Sequence, residues 1–485
     1  MAIPINFGEL LGKISDQGEK FNKLDSPKCR YYAFLSKIED VSPKDMPIED
    51  QTWAALFEIV PYEWIESLPE EIWESKSPLP ISPASLIETD ETKASDFAEA
   101  LNANVGEIDE GNWYIIEDIE PLEEGSPRPA ERVSNGKRIR GKRSRPDGRG
   151  KSANTSAGGL APPPDRRRKL AAKFLPDGAL NYTEISNKMG AQVPSAMGVM
   201  DVGQASCNLV YNELGNPIFY SDLGVPTPRY RESIPDFANP KLIEPGPGPC
   251  LANFPFVILS HWDLDHCLMA ECSTNKNDIC NLIWLVPRQQ IGTEGYNIFR
   301  RLNHGHVWPA DRTNPLVINN RLKIIKCVGR TINTSGLAVA VKIRLSDRSE
   351  RWALLPGDAT FQFIPGVDDI HYDWITASHH GSDHELKLRN IPEPRENSRG
   401  RIAYSYGIMA NGDHCYHHPS PVAMDKYKEK GWGTTDDKVS ATAQKGPRSP
   451  EIPRERGNIM MCHNTHPPDC GTPSCPFHHF KVVLE

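Results

Sequence analysis

The apolar positions of this chain fall into short blocks, most of them in its second half. Met197–Tyr211, Pro217–Ser221, Pro255–Ser260, Leu282–Val286, Leu322–Val328, Leu337–Leu345, Trp352–Pro356 and Trp374–Ala377 are bounded by Gly, Pro, Asn or Asp. Such runs read as β-strands separated by turns. Several end in a polar cluster, which predicts an α/β sandwich with active loops at strand ends. Near the N-terminus, Trp53–Ile72 spaces its apolar residues as a helix does, with breaks at Pro61 and Pro69. Together with Trp53, Trp64, Trp73 and Trp113 set among carboxylates, this predicts a small, mostly helical, acidic domain over residues 1–125. From 126 to 170 apolar residues give way to Gly, Pro and Arg, a composition that cannot offset its ordering entropy and predicts a flexible linker.

Length and charge sharpen this division. At 485 residues the chain exceeds one ordinary domain. The net charge of −9 is unevenly spread: residues 1–125 carry 28 acidic against 9 basic side chains, residues 126–170 carry 14 basic against 3 acidic, and the rest sum to −1. The acidic block suits a solvated surface or a protein-binding module, and the basic stretch could touch phosphate or fold back on the acidic block. The longest apolar runs, such as Phe254–Ser260, fall far short of the ~18 residues a spanning helix needs, so no membrane association is expected. The first residues lack a basic segment followed by an apolar one, so a cytoplasmic location is expected. Eleven cysteines then suggest reduced thiols with some metal binding rather than a disulfide framework.

Histidine locates the chemistry, because all 15 lie at or after His261. The densest signal is Ser260-His261-Trp262-Asp263-Leu264-Asp265-His266, directly after the apolar run Phe256–Leu259. Two imidazoles and two carboxylates on one loop can gather around metal ions without long-range assembly, and the mixed set suits Zn²⁺ or Mn²⁺. Downstream, Leu354-Leu355-Pro356-Gly357-Asp358 delivers a carboxylate at a Gly turn, and Trp374–Ala377 leads into Ser378-His379-His380-Gly381-Ser382.

In order, Asp201-Val202-Gly203-Gln204, Asp222-Leu223-Gly224, the 261–266 cluster, Asn333 with Ser335, Gly357-Asp358, His379-His380-Gly381-Ser382 and His418-Pro419 resemble the metallo-β-lactamase-like hydrolases of the ComEC type. Those form the soluble nuclease-like domain of bacterial DNA-uptake proteins. The resemblance covers about residues 195–420 and implies an αββα metallo-β-lactamase sandwich with a two-metal site in a cleft at one edge. It implies that His261 and Asp263 hold the first metal, that Asp265 and His266 hold the second, and that Asp358 bridges both. His379 or His380 would complete the shell. Asp201, and less strongly Asp222, would orient the ligands from behind, and His418 would face the substrate. On this basis Asp265, His380 and His418 are the candidate catalytic residues. The chain departs from the broader fold in carrying Asp263 where that fold has histidine, and in having no histidine around Asn333–Ser335, where His304 or His306 could substitute. Cys267-Leu268-Met269 and Ala205 stand where the family has small glycines.

The expected activity is that of a cytoplasmic bacterial metal-dependent hydrolase, a phosphodiesterase or nuclease, with two divalent ions (Zn or Mn) and nucleic acid as leading substrate. A small-molecule phosphodiester or ester hydrolase and a non-catalytic scaffold acting through residues 1–125 are the alternatives. The domains read as 1–125, the linker 126–170, a hydrolase domain over 195–425 and a C-terminal extension over 426–485. That extension holds Cys462, His463, His466, Cys470, Cys475, His478 and His479, four of which could form a structural zinc site. Cys250, Cys267, Cys272 and Cys280 read as core or loop thiols.

Overall fold

The computed structural model describes residues 30–40, 47, 50–61, 85–89, 92–101, 105, 108, 113–117, 136–139, 182–190, 192–235, 251, 254–309, 312–382, 390–395, 400–408, 418–435, 439–442, 457–461 and 480–484. The Cys462–His479 cluster and Cys250 lie outside them.

The N-terminal strands are β1 (Arg30–Asp40), β2 (Thr52–Pro61), β3 (Ser85–Thr89), β4 (Thr92–Lys93), β5 (Trp113–Glu117) and β6 (Gly136–Ile139), with helix α1 (Ala94–Leu101). Five of these strands form a sheet in the order β5-β1-β2-β3-β6, with β4 beside β2. The helix expected from Trp53 onward is therefore replaced, over Thr52–Pro61, by a strand. The reason is burial on both faces. Phe57, Ile59, Ala33 and Leu35 pack with Phe97 of α1, while Leu56, Val60, Tyr32 and Phe34 pack against the main body. Such a strand reads as a continuous apolar run rather than an alternating one, and periodicity alone does not distinguish it from a buried helix. Gly136–Ile139, inside the stretch read as linker, pairs in parallel with β3.

The main body begins with α2 (Tyr182–Met189) and the strands β7 (Pro194–Val199), β8 (Cys207–Asn212) and β9 (Pro217–Leu223). Then come β10 (Phe256–Ile258), the short helices α3 (Leu264–Cys267), α4 (Met269–Cys272) and α5 (Lys276–Cys280), β11 (Ile283–Val286), α6 (Thr293–Arg301) and β12 (His304–Val307). A second series follows: β13 (Leu316–Ile318), β14 (Leu322–Lys326), β15 (Leu337–Arg344), β16 (Glu350–Leu355), β17 (Trp374–Thr376), β18 (Arg401–Tyr404), α7 (Pro421–Glu429) and β19 (Val439–Ala441). The last strands are β20 (Asn458–Met461) and β21 (Phe480–Leu484). One sheet runs β12-β11-β10-β9-β8-β7-β20-β21 and the other β13-β14-β15-β16-β17-β18-β19.

The two sheets share one core. Met197, Phe219, Phe256, Ile258 and Leu285 of the first interlock with Ile324, Val339, Val341, Leu355 and Ala403 of the second. The outer face of the first sheet is covered by residues of α3–α6 and by the N-terminal sheet, and that of the second by α7 and 3₁₀ turns, with Tyr404 and Tyr427 among the contacts. The molecule is thus a mixed α/β structure with helices outside two central sheets. Among the described residues no helix is long and apolar enough to cross a membrane.

The order within the two sheets places the site. Each has antiparallel pairs (β7-β8-β9; β13 to β16) that pass into parallel ones (β9-β10-β11-β12; β16-β17-β18-β19). The carboxyl ends of parallel strands in open α/β sheets are where loops can converge on a ligand. The candidate ligands His261, Asp263, Asp265, His266, Asp358, His379 and His380 all follow one of β10, β16 and β17.

Candidate metal centre

Ile258 ends β10, and the chain then turns through Leu259, Ser260 and His261 into α3, which carries Asp265 and His266. β16 ends at Leu355 and delivers Asp358 through Gly357, whose φ is +60°. A side chain at 357 would meet Ser260 Cβ at 2.6 Å, so glycine there lets two strand ends close on each other. β17 leads into the turn 378–381, in which His379 and His380 have φ of 47° and 55°. That left-handed backbone is costly for non-glycine residues and typical of functional sites. Here it turns both imidazoles back toward Asp358 and Asp265.

Side chains far apart in sequence meet as a result. His261 Nε2 lies 3.4 Å from Asp263 Oδ2 and 3.6 Å from Asp358 Oδ2. His379 Nε2 lies 3.5 Å from the same Asp358 oxygen. The other oxygen of Asp358 is 3.2 Å from His266 Nε2, and His380 Nε2 is 3.6 Å from Asp265 Oδ2. His261, His266 and Asp358 offer ligand atoms mutually within 4.8 Å, and so do Asp265, His266 and His380.

The imidazoles are held from behind. Asp222, at the end of β9, accepts from His266 Nδ1 at 2.8 Å, from the Ser260 hydroxyl at 2.9 Å and from the Ser260 amide at 2.7 Å. Ser260 Oγ in turn lies 3.0 Å from His261 Nδ1. His380 Nδ1 donates to the Ser405 carbonyl at 2.8 Å. A carboxylate and a carbonyl only accept, so these partners place a proton of His266 and His380 on Nδ1, and Nε2 is the nitrogen of each ring that faces the centre.

The donor set fits a divalent cation. His261 Nε2, both oxygens of Asp263, Asp265 Oδ1, Asp358 Oδ2 and His380 Nε2 are buried and make no hydrogen bond, although buried polar atoms are rarely left so. Electrostatics agree. Burial pushes the Asp358 carboxyl up, but His266, His379 and His261 override this and hold it well below the usual carboxylate range. Burial likewise works against Asp265, and Lys37 with His380 and His266 outweighs it. Burial disfavours protonation of His266, yet Asp358 and Asp222 hold its pKa well above the usual histidine value. The centre is a well of negative potential built for positive charge.

Other residues singled out in the sequence sit around this cluster. Asp201 is buried, accepts weakly from the Gly203 amide at 3.4 Å, and is anchored by its own amide to Asn458 Oδ1 of β20 at 2.8 Å. The ring of His418 is 5.7 Å from that of His379 and stacks on His380 at 6.3 Å. Asn333 and Ser335 lie in a loop tied to the 261–266 segment through Gln289, which accepts from the Trp262 amide and donates to Ser335 Oγ and the Ile332 carbonyl. His304 and His306 lie on strand β12 and pair with Glu184, at 3.6 and 2.8 Å. Cys267 and Cys280 are buried free thiols and Cys272 is half-buried.

Two contributors were not foreseen. The first is Ser260, whose position next to His261 at a strand end was the available signal. The second is the N-terminal sheet. Glu58 of β2 is buried, accepts from Ser36 Oγ and from the Glu294 amide in the first turn of α6, and lies against Gly292. It caps that helix from another part of the chain. Burial pushes the Glu58 carboxyl from 4.5 up to about 7. A folded-state pKa above the unfolded value means that the folded form holds the proton longer, so this group costs stability as pH rises from 4.5 to 7. At 1.36 kcal/mol per unit the loss is roughly 3 kcal/mol. Denaturant unfolding at pH 5 and pH 8 is expected to show that loss in the native chain and not in Glu58→Gln; equal slopes in both would contradict it.

No protein-family model matches the sequence, and no curated protein matches it. Solved structures similar to it include the metallo-beta-lactamase fold protein YhfI from Bacillus subtilis, at 11% identity and TM-score 0.27, over 51% of this chain and 95% of that one. Zn(2+)-bound PqqB from Methylobacterium extorquens is similar at 8% identity and TM-score 0.27, over 50% and 97%. The metallo beta lactamase MIM-1 from Novosphingobium pentaromativorans is similar at 11% identity and TM-score 0.25, over 52% and 97%.

Proposed function

We propose that this chain is a metal-dependent hydrolase with a metallo-β-lactamase fold of the ComEC type, and that it cleaves phosphodiesters, nucleic acid first among them. The observation that carries this reading is the convergence of buried, unbonded imidazole and carboxylate atoms from the ends of β10, β16 and β17. His261, Asp263 and His379 would hold one divalent ion, and Asp265, His266 and His380 would face a second locus. Asp358 turns one oxygen toward each. His379 thereby takes the part that the broader fold gives to a histidine near Asn333.

Divalent cations bound there supply an activated water at neutral pH and offset negative charge on the phosphoryl oxygens. The chain's own residues do the rest. Asp222 and the Ser405 carbonyl hold the imidazoles in one tautomer and orientation. His418, beside His379 and His380, can meet a substrate phosphate or hand a proton to a leaving oxygen.

Charge favours a second substrate class. Residues 171–485 sum to −1, whereas polymer binders commonly present a basic face, so a small phosphodiester or ester is the second reading. Incubating the Mn²⁺-loaded protein with labelled single-stranded and duplex DNA, and separately with bis(p-nitrophenyl) phosphate, tests both. Cleavage of DNA supports the first reading, and turnover of the small ester alone supports the second. No turnover of either by metal-loaded protein overturns phosphodiester hydrolysis.

A further inference from the structure

The N-terminal sheet does more than cover one face of the first central sheet. In β1 the side chains of Tyr32 and Phe34 face the main body, while Ala33 and Leu35 face α1. Strict alternation would send Ser36 to the body and Lys37 away from it. Instead the pairing of β1 with β2 slips between Leu35 and Lys37. This is a β-bulge, the device by which a strand re-aims a side chain. As a result two consecutive residues turn to the same face of the sheet: Ser36 bonds Glu58 of β2, which itself reaches the Glu294 amide, and Lys37 Nζ lies 2.8 Å from Asp265 Oδ2. Lys37 is 4% exposed, and a buried ammonium persists only where a charge or strong acceptor meets it.

The oxygen it meets is the informative part. Asp265 Oδ2 is the oxygen that faces His380 Nε2, so the ammonium sits on the carboxylate oxygen directed at the second metal locus. Among the described residues the partners that face His261, Asp263 and Asp358 are imidazole nitrogens and carboxylate oxygens, with no ammonium at the first locus. A fixed positive charge on Asp265 lowers the attraction that the second locus exerts on another cation, by the same Coulombic rule that draws cations to the first.

We propose that Lys37 is a resident cation of the centre: delivered by the bulge in β1, it takes the place of the second metal ion at Asp265, so that the native chain binds one divalent ion tightly, at His261, Asp263, His379 and Asp358. The proposal rests on the metal-centre reading and changes its stoichiometry. It also makes the N-terminal sheet a part of the centre rather than an accessory joined by a linker.

Manganese is the probe, because it prefers oxygen and imidazole donors to the thiolates of the C-terminal cysteine cluster. The full chain is stripped of metal, saturated with Mn²⁺ and desalted, and bound manganese is counted by mass spectrometry and inspected by electron paramagnetic resonance. The expected result is one ion per chain with the six-line signal of isolated Mn²⁺. Lys37→Met is expected to bind two, with a spin-coupled signal, and Lys37→Arg to remain at one. Two coupled ions in the native chain overturn the proposal while leaving the metal centre intact. One ion in a folded Lys37→Met chain overturns it as well, and no ion in the native chain overturns both readings. The native and Lys37→Arg measurements decide the matter even if Lys37→Met does not fold.

Discussion

Asp265→Asn combined with His266→Ala is expected to abolish hydrolysis, since it alters two ligand-type side chains, one of which, His266, faces an oxygen of Asp358. The loss should exceed the roughly 10–100-fold that an orienting partner of a ligand is worth. The structure adds a second consequence. Lys37 is buried against Asp265, so the Asn variant leaves an uncompensated ammonium, at a cost of about 3–5 kcal/mol. Adding Lys37→Met should therefore recover most of the stability and none of the activity. Turnover and urea unfolding of the native, double and triple variants check this. Retained turnover in a folded double variant would show that the reactive site lies elsewhere.

The second large effect is expected at Asp222. Asp222→Ala leaves three buried donors without their acceptor: the Ser260 amide, the Ser260 hydroxyl and His266 Nδ1. Each such loss costs about 1–3 kcal/mol. The Ser260 hydroxyl that Asp222 holds lies 3.0 Å from His261 Nδ1, so freeing it loosens His261, and metal affinity is expected to fall by roughly 10–100-fold. Asp222→Asn should keep more stability than Asp222→Ala, since its amide oxygen can still accept one of the three. Titration of Mn²⁺ into each variant, beside thermal melts, measures both effects; unchanged affinity in Asp222→Ala would remove it from the centre.

Much of this site could be read from the sequence because its ligands arrive in short clusters at strand ends. His261 to His266 lie on one loop, and Gly357-Asp358 and His379-His380-Gly381 each close an apolar run, so local pattern carried them. The division of labour between His379 and His380 could not be read. It depends on two residues with positive φ and on which carboxylate each then meets, Asp358 for His379 and Asp265 for His380, a property of the assembled turn. The order of importance of Asp201 and Asp222 was equally hidden: both end or follow a strand, and the hydrogen bonds of Asp222 to Ser260 and His266 emerge only when β9 and β10 pair.

The N-terminal region shows the complementary limit. A strand buried on both faces loses the alternation that would have marked it, so Thr52–Pro61 looks helical. Lys37 and Glu58 looked like ordinary members of an acidic, solvated block, yet both are buried against the body. The available signal was a charge inside the run Tyr31 to Ile38, which becomes meaningful once a bulge turns it toward Asp265. The candidate site is therefore most legible where its residues cluster locally, and least where a distant strand contributes a single charge.

The most direct measurement is diffraction from crystals of the full chain grown with Mn²⁺, recorded at the manganese edge. An anomalous peak is expected within coordinating distance of both His261 Nε2 and Asp358 Oδ2, the atoms that face each other at 3.6 Å. Manganese bound elsewhere on the chain, with no peak among these side chains, would contradict the metal-centre reading.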